Sequence, residues 1–195
     1  MIILGSASPR RREILGYFSL PFVVKGSSFD ELSIPFQGNP YAYVEEIAIG
    51  KAAQLHADDP SPIYLTADTT VCIDGEILNK PSSQEEAYQM LKKMNGKSHQ
   101  VITGVCVQSP SERFVGSEST QVEFNLLDEN QMKAYTQDVD ILDKAGAYAI
   151  QGVGGLLVKG IEGCFYNVMG LPLNTTAQLL EKVNIKLWDY LAPSS

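Results

Sequence analysis

The sequence predicts an α/β fold built on a mixed sheet, and three observations carry that expectation. Strand and helix patterns alternate along the whole chain. Capping residues mark several helix starts. Of the 195 residues, 44% are hydrophobic, enough for one large domain or two small lobes sharing a core.

In chain order, residues 1–6 open with Ile2-Ile3-Leu4, a short apolar run that reads as a buried strand. Gly5 to Ser8 are small, Ser8 can serve as N-cap, and Pro9 suits the first helical position, so a helix begins near Pro9. Residues 20–25 (Leu-Pro-Phe-Val-Val-Lys) form a second strand. Residues 40–57 form a helix with Tyr43, Ile47 and Leu55 among its apolar positions. Residues 63–67 and 70–73 read as two strand runs with Asp68 between them, followed by a turn at Asp74-Gly75. Residues 83–94 are helical, while Val101 to Gln108 and Gln121 to Leu126 are strand-like and flank a turn at Ser109-Pro110-Ser111. Asp128 caps a helix over 129–137. Residues 155–169 carry two strand candidates, and Asn174 caps a final helix reaching about Leu191. No repeat, low-complexity stretch or linker interrupts the chain, so residues 1–195 are expected to form a single domain.

Composition excludes several function classes. No apolar run approaches the roughly 18 residues of a membrane span. The N-terminal apolar stretch is too short for a signal peptide and lacks a basic flank, so a cytoplasmic location without a membrane partner is expected. Cys72, Cys106 and Cys164 are odd in number and far apart, which argues against a disulfide framework or a cysteine-held zinc. With two histidines in the chain, a His-rich metal site is excluded too. Any metal would be a hard cation held by carboxylates and by substrate phosphates. The net charge of −8 repels a nucleic-acid backbone, so no stable nucleic-acid binding is expected. The one basic run, Arg10-Arg11-Arg12, suits a small anion better than a long polyanion.

That run is also the strongest chemical signal. Three arginines in the first turn of a helix face the positive end of its dipole, which is unfavourable by roughly 0.3–1 kcal/mol per charge. An anion at the helix end would reverse the sign, because free N–H groups and the dipole already favour phosphate there. Gly96-Lys97-Ser98 lacks the first P-loop glycine, since position 91 is Leu. Gly152-Val153-Gly154-Gly155 lacks the third Rossmann glycine, since position 157 is Leu, so both are read as turns. Asp68 taken alone reads more simply as a turn residue than as a catalytic acid. A hairpin at Asp74-Gly75 would return Lys80 toward it. Lys51 lies among Ala48, Gly50, Ala52 and Ala53, surroundings that suit either an inward-pointing or a surface lysine. Glu31 is an undistinguished loop acid on its own. Asp143 to Gly152 is rich in small residues, so its backbone can approach a ligand closely, and Gln151 offers an amide.

Taken together, Ser6-Ala7-Ser8-Pro9-Arg10-Arg11, Ala67-Asp68-Thr69, Lys80-Pro81, Ser98-His99-Gln100-Val101, Asp143-Lys144-Ala145-Gly146-Ala147-Tyr148 and Gly170-Leu171-Pro172 resemble the Maf family in order over nearly the whole chain. The resemblance implies an elongated α/β fold of two lobes with a deep cleft between them. It also implies a nucleoside-triphosphate pyrophosphatase that uses Mg²⁺ or Mn²⁺ and assembles as a homodimer. Asp68 matches the catalytic acid, and Glu31, Lys51 and Lys80 match polar active-site residues, with Glu31 and Asp68 as the expected metal ligands. Ser8 and Arg10 would clamp the phosphates. Arg11, Thr69 and Gln151 match the positions that mark the dTTP/UTP branch, as opposed to the branch that prefers 7-methyl-GTP. Ser27-Ser28 stand where many relatives carry an acid, which thins the expected metal shell. The alternatives are a pyrophosphatase for modified purine triphosphates and a non-catalytic, nucleotide-sensing regulator of septum formation.

Overall fold

A computed structural model describes residues 1–191. It contains one seven-stranded sheet with strand order β2-β1-β3-β5-β6-β7, and β4 also pairs with β3. β1 (Ile2–Leu4) runs parallel to β2 (Phe22–Val24) and to β3 (Ile63–Ile73). β4 (Glu76–Leu78), β5 (Ser98–Gln108), β6 (Arg113–Phe124) and β7 (Val158–Glu162) extend the sheet antiparallel. The expected mixed sheet flanked by helices is therefore what the chain forms.

The helices are α1 (Pro9–Leu15), α2 (Pro40–Asp58), α3 (Gln84–Met94), α4 (Glu129–Asp138), α5 (Phe165–Met169) and α6 (Leu173–Glu181). Their starts follow local chemistry. Asn39 accepts from the Tyr41 and Ala42 N–H groups with Pro40 behind it, and Ser83 accepts from the Glu86 N–H. Asp128 and Gln131 close a reciprocal capping box on α4. None of the described helices is long and apolar enough to cross a membrane.

Three sequence expectations change. The two strand runs around Asp68 are one continuous strand of 11 residues, with Asp68 opposite Gly104 of β5. A carboxylate disfavours mid-strand burial, but here a lysine ion pair offsets the penalty. The second strand expected within 155–169 is instead α5, which ends at Gly170 with φ 104°. Its Asn167 is fully buried and donates to Val101 O and Thr120 Oγ1, tertiary bonds that local propensity does not report. The last helix is shorter than expected. Pro172, not Asn174, holds the N-cap position, and the chain turns off after Glu181 through Asn184 at φ 62°.

The two large apolar clusters lie at opposite ends of the long strands. On one face of β3, Leu65 and Ala67 join a core with α1 and α6, whereas Val71 and Ile73 join a second core with α3 and Tyr148. Thr69 lies between them on that face, and its β5 partner Thr103 likewise lies between Val101 and Val105. On the other face α2 runs the length of β3 and β5, from Tyr43 beside Cys72 to Leu55 beside Tyr64. It approaches closely because Gly104 has no side chain: a Cβ there would lie 2.6 Å from the Val44 backbone.

Candidate active site

The cleft forms where the sheet edge is interrupted. β1 pairs with β3 only as far as Leu65, and β4 pairs with it only from Val71. Residues 66–70 of β3 therefore have β5 on one side and a notch on the other. Around this notch lies a cleft of about 300 Å³, lined by residues 5–11, by Glu31, Lys51, Asp68, Thr69 and Lys80, and by segments 143–151 and 168–170. Ligand sites of this size and setting are common in α/β folds. In a chain of net charge −8 the lining carries five cationic side chains and three carboxylates, a local excess suited to an anion.

Lys51 organises one wall. Val44, Ile47, Ala48 and Ala52 of α2 cover β3 and β5, and Lys51 stands in that stripe, 8% exposed. Its Nζ donates to Asp68 Oδ1 at 2.7 Å, contacts Glu31 Oε1 at 2.7 Å and reaches Ala67 O at 3.4 Å, so all three hydrogens have partners. Glu31 reaches the site through packing. The Phe29 ring lies over Gly50 of α2 so closely that a Cβ there would be 2.3 Å from it. Asp30 then caps the single turn Glu31–Ser33 by accepting from the Leu32 N–H. Burial alone would raise the Glu31 carboxyl, but Lys51, Lys80 and Arg11 outweigh it and hold Glu31 below the usual carboxylate range. Lys80, delivered by the β3–β4 hairpin, sits 3.6 Å from Glu31 Oε2 and is exposed.

The arginine run divides. Arg12 is exposed and outside the cleft. Arg10 points to Asp143 at 3.6 Å with a quarter of its side chain exposed. Arg11 turns inward and donates from Nε to Gly170 O at 2.7 Å, from Nη1 to Ser6 Oγ at 3.2 Å and from Nη2 to Thr69 Oγ1 at 2.9 Å. Burial lowers the Arg11 pKa against the opposing charges of Asp68 and Glu31. Guanidinium nonetheless stays protonated in proteins. Ser8 stands at the N-cap of α1 without a side-chain capping bond, so its hydroxyl is free for a ligand. Gln151 lines the cleft, and its amide makes a long 3.4 Å bond to Glu13. Thus Glu31, Lys51, Asp68, Lys80, Ser8, Arg10, Arg11, Thr69 and Gln151 all border one cleft.

Sequence reasoning assigned no role to several residues that hold these in place. Ser6 accepts from both Arg11 and the Ser8 N–H, and Ser27 is bracketed by Gln54. Thr103 and Asn167 underlie Thr69. The hydroxyls gave no signal in sequence because a threonine in a strand is ordinary. Gly50 was visible only as one of several small residues.

Oxygen is the right donor for a hard cation, and Asp68 and Glu31 supply it from two sides of Lys51. Among the described residues no group of three or more His, Cys, Asp or Glu could hold a metal unaided. A divalent ion takes six or more oxygens, so the pair fits as part of a shell completed by phosphate and water.

A dTTP/UTP pyrophosphatase of Chlamydia caviae is 48% identical over 191 residues, 97% of either chain. A nucleoside triphosphate pyrophosphatase of Chlamydia muridarum is 43% identical over 192 residues, 98% of either chain. Among solved structures, a nucleoside-triphosphatase (dITP/XTP pyrophosphatase) of Mycobacterium abscessus aligns over 93% of this chain and 94% of its own at 10% identity, with a TM-score of 0.46. A family model described as Maf-like protein matches residues 1–183, and the chain belongs to the Maf family.

Proposed function

We propose that this chain hydrolyses dTTP and UTP to the nucleoside monophosphate and pyrophosphate. One observation carries the reading: a buried carboxylate, Asp68, is held by Lys51 at the notch of a cleft whose lining is locally cationic. The names of the two chlamydial relatives support the substrate class.

Asp68 spends one oxygen on Lys51, and no protein donor among the described residues bonds its other oxygen. That oxygen accepts a proton from, or orients, the water that attacks the α-phosphorus. Lys80 and Arg10 on the rim, with the Ser8 hydroxyl, grip the phosphates, and catalysis rests on position and charge. Asp68 and Glu31 would hold a divalent cation such as Mg²⁺ or Mn²⁺, which when bound offsets the charge of the phosphate chain. Val168, Met169, Ile150 and Ala149 give the other half of the cleft an apolar wall suited to a base, with Gln151 at its edge. β3 and β5 pass through both cores, so we infer one working unit rather than two domains. The homodimer rests on the family resemblance alone.

The test is a panel of nucleoside triphosphates with Mg²⁺, separating monophosphate from diphosphate products. dTTP and UTP are expected to give monophosphate and pyrophosphate. Diphosphate and inorganic phosphate as first products overturn the mechanism, and a preference for 7-methyl-GTP moves the chain to the other branch.

A further inference from the structure

Between the two apolar cores runs a chain of polar bonds that the catalytic reading does not use. Arg11 Nη2 donates to Thr69 Oγ1 at 2.9 Å. Thr69 Oγ1 lies 2.9 Å from Thr103 Oγ1, and Thr103 Oγ1 donates to the Asn167 carbonyl at 3.0 Å. Asn167 and Thr103 are both fully buried. The Asn167 amide is fixed by its own bonds to Val101 O at 2.9 Å and Thr120 Oγ1 at 3.0 Å.

The direction of every bond in this chain follows from hydrogen counting. A carbonyl only accepts, so the single Thr103 hydrogen goes to Asn167. The bond between the two threonines must then be donated by Thr69. A guanidinium only donates, so Thr69 also accepts from Arg11. Its one hydrogen is committed inward, and toward anything in the cleft the Thr69 hydroxyl is an acceptor only. Arg11 uses three of its five hydrogens on Gly170 O, Ser6 and Thr69, and keeps one on each terminal nitrogen. Both side chains line the cleft next to its apolar half.

We infer that Thr103 is a positioning residue for base selection: through the Asn167 carbonyl it holds Thr69 as an acceptor beside the Arg11 donors. That pair of groups complements the N3–H and the neighbouring carbonyl of uracil or thymine. Cytosine presents an acceptor at N3 and a donor at N4, which mismatches both. Gln151 cannot supply this discrimination alone, because an amide can turn over and present either end. Thr69 has no such freedom while Thr103 is in place.

The inference rests on the pyrophosphatase reading, and the experiment separates the two. kcat and KM are measured for UTP and CTP with the wild type, Thr103→Val and Thr103→Ser. In Thr103→Val the Thr69 hydrogen loses its acceptor and the hydroxyl can rotate to donate. The UTP:CTP ratio of kcat/KM is expected to fall by about tenfold, the scale of one mispaired hydrogen bond in a site. Thr103→Ser keeps the hydroxyl and is expected to keep the ratio. A loss of packing alone would lower both substrates together and leave the ratio unchanged, which overturns the inference, as does a wild-type ratio near one. Should Thr103→Val not fold, the wild type decides the matter with two analogues. 3-methyl-UTP, which lacks N3–H, is expected to lose at least about tenfold. 5-methyl-UTP, which keeps N3–H, is expected to retain activity, and equal turnover of the two overturns the inference. Absence of pyrophosphate from every triphosphate sinks the pyrophosphatase reading itself.

Discussion

Lys51 and Arg10 both bring a cation to the same cleft, yet the chain holds them in opposite ways. The Lys51 and Asp68 side chains are 10% and 11% exposed, at 2.7 Å from each other. Arg10 and Asp143 are 25% and 50% exposed and 3.6 Å apart, and Lys80 stands equally far from Glu31. In the Lys51–Asp68 pair, removing one partner would leave the other as a largely buried charge. The rim pairs are loose and screened, so they can exchange an acidic partner for a phosphate at little cost. On the proposed reading, a triphosphate therefore meets a rigid buried wall and a compliant rim.

The contrast predicts effects of different size and kind. The largest is Asp68→Asn, which keeps the shape and removes the proposed base. Turnover is expected to fall by about 10²–10⁴-fold with nucleotide affinity retained, and near-normal kcat in the purified variant would return Asp68 to a structural role. Next is Lys51→Met, which leaves Glu31 and Asp68 facing each other without their shared cation. A destabilisation of about 3–5 kcal/mol is expected in urea unfolding, the cost of a broken buried pair. Lys80→Met on the rim is expected to leave stability unchanged, and equal losses for the two lysines would erase the distinction between wall and rim.

The third prediction isolates Glu31 of the wall by pH. Burial pushes His99 down to about 4, and its Nε2 lies 2.7 Å from the Tyr148 hydroxyl. The unfolded chain binds a proton on this ring below about 6.5 while the folded one does not, so stability falls as pH drops from about 6.5 to 4, by about 3 kcal/mol in all. Glu31 acts in a lower window: its depressed carboxyl contributes above about 4.5, the unfolded value, and loses that contribution on further acidification. His99→Gln is expected to flatten the upper limb and leave the lower one. A wild-type curve as flat as the variant's between those pH values removes the histidine from the account. The smallest effect is Arg10→Ala, for which KM should rise and pyrophosphate inhibition weaken by the equivalent of about 1.5–3 kcal/mol. An unchanged KM would make Arg10 a solvated rim residue.

What sequence could say about these two regions differed in kind. The rim was legible, because Ser8-Pro9-Arg10 and the Asp74-Gly75 hairpin are local signals with local causes. The start of α4 was legible for the same reason, since the Asp128 cap acts within four residues. Glu31 was known only by resemblance, because its position depends on the Phe29 ring meeting Gly50 across 21 positions of chain. Asp68 read as a turn because the lysine that makes it tolerable in a strand comes from α2. α5 read as a strand because Phe165, Tyr166 and Val168 favour strands, while the bonds of Asn167 that select the helix come from β5 and β6.

The position of α2 has a mechanical consequence. β3 and β5 are the long strands that connect the two cores, and a cleft between cores ordinarily opens by bending such a connection. Here a helix of 19 residues, about 28 Å long, lies along both strands and spans their midpoint. It is bonded there through Thr66 Oγ1 to Ala48 O at 2.7 Å and through Lys51 to Asp68, and it is seated on Gly104 without clearance. Such a splint leaves no hinge at the notch. The spacing between the two cores is thereby a fixed length, a ruler laid along the strands, and a ligand in the cleft is measured against it rather than enclosed by it.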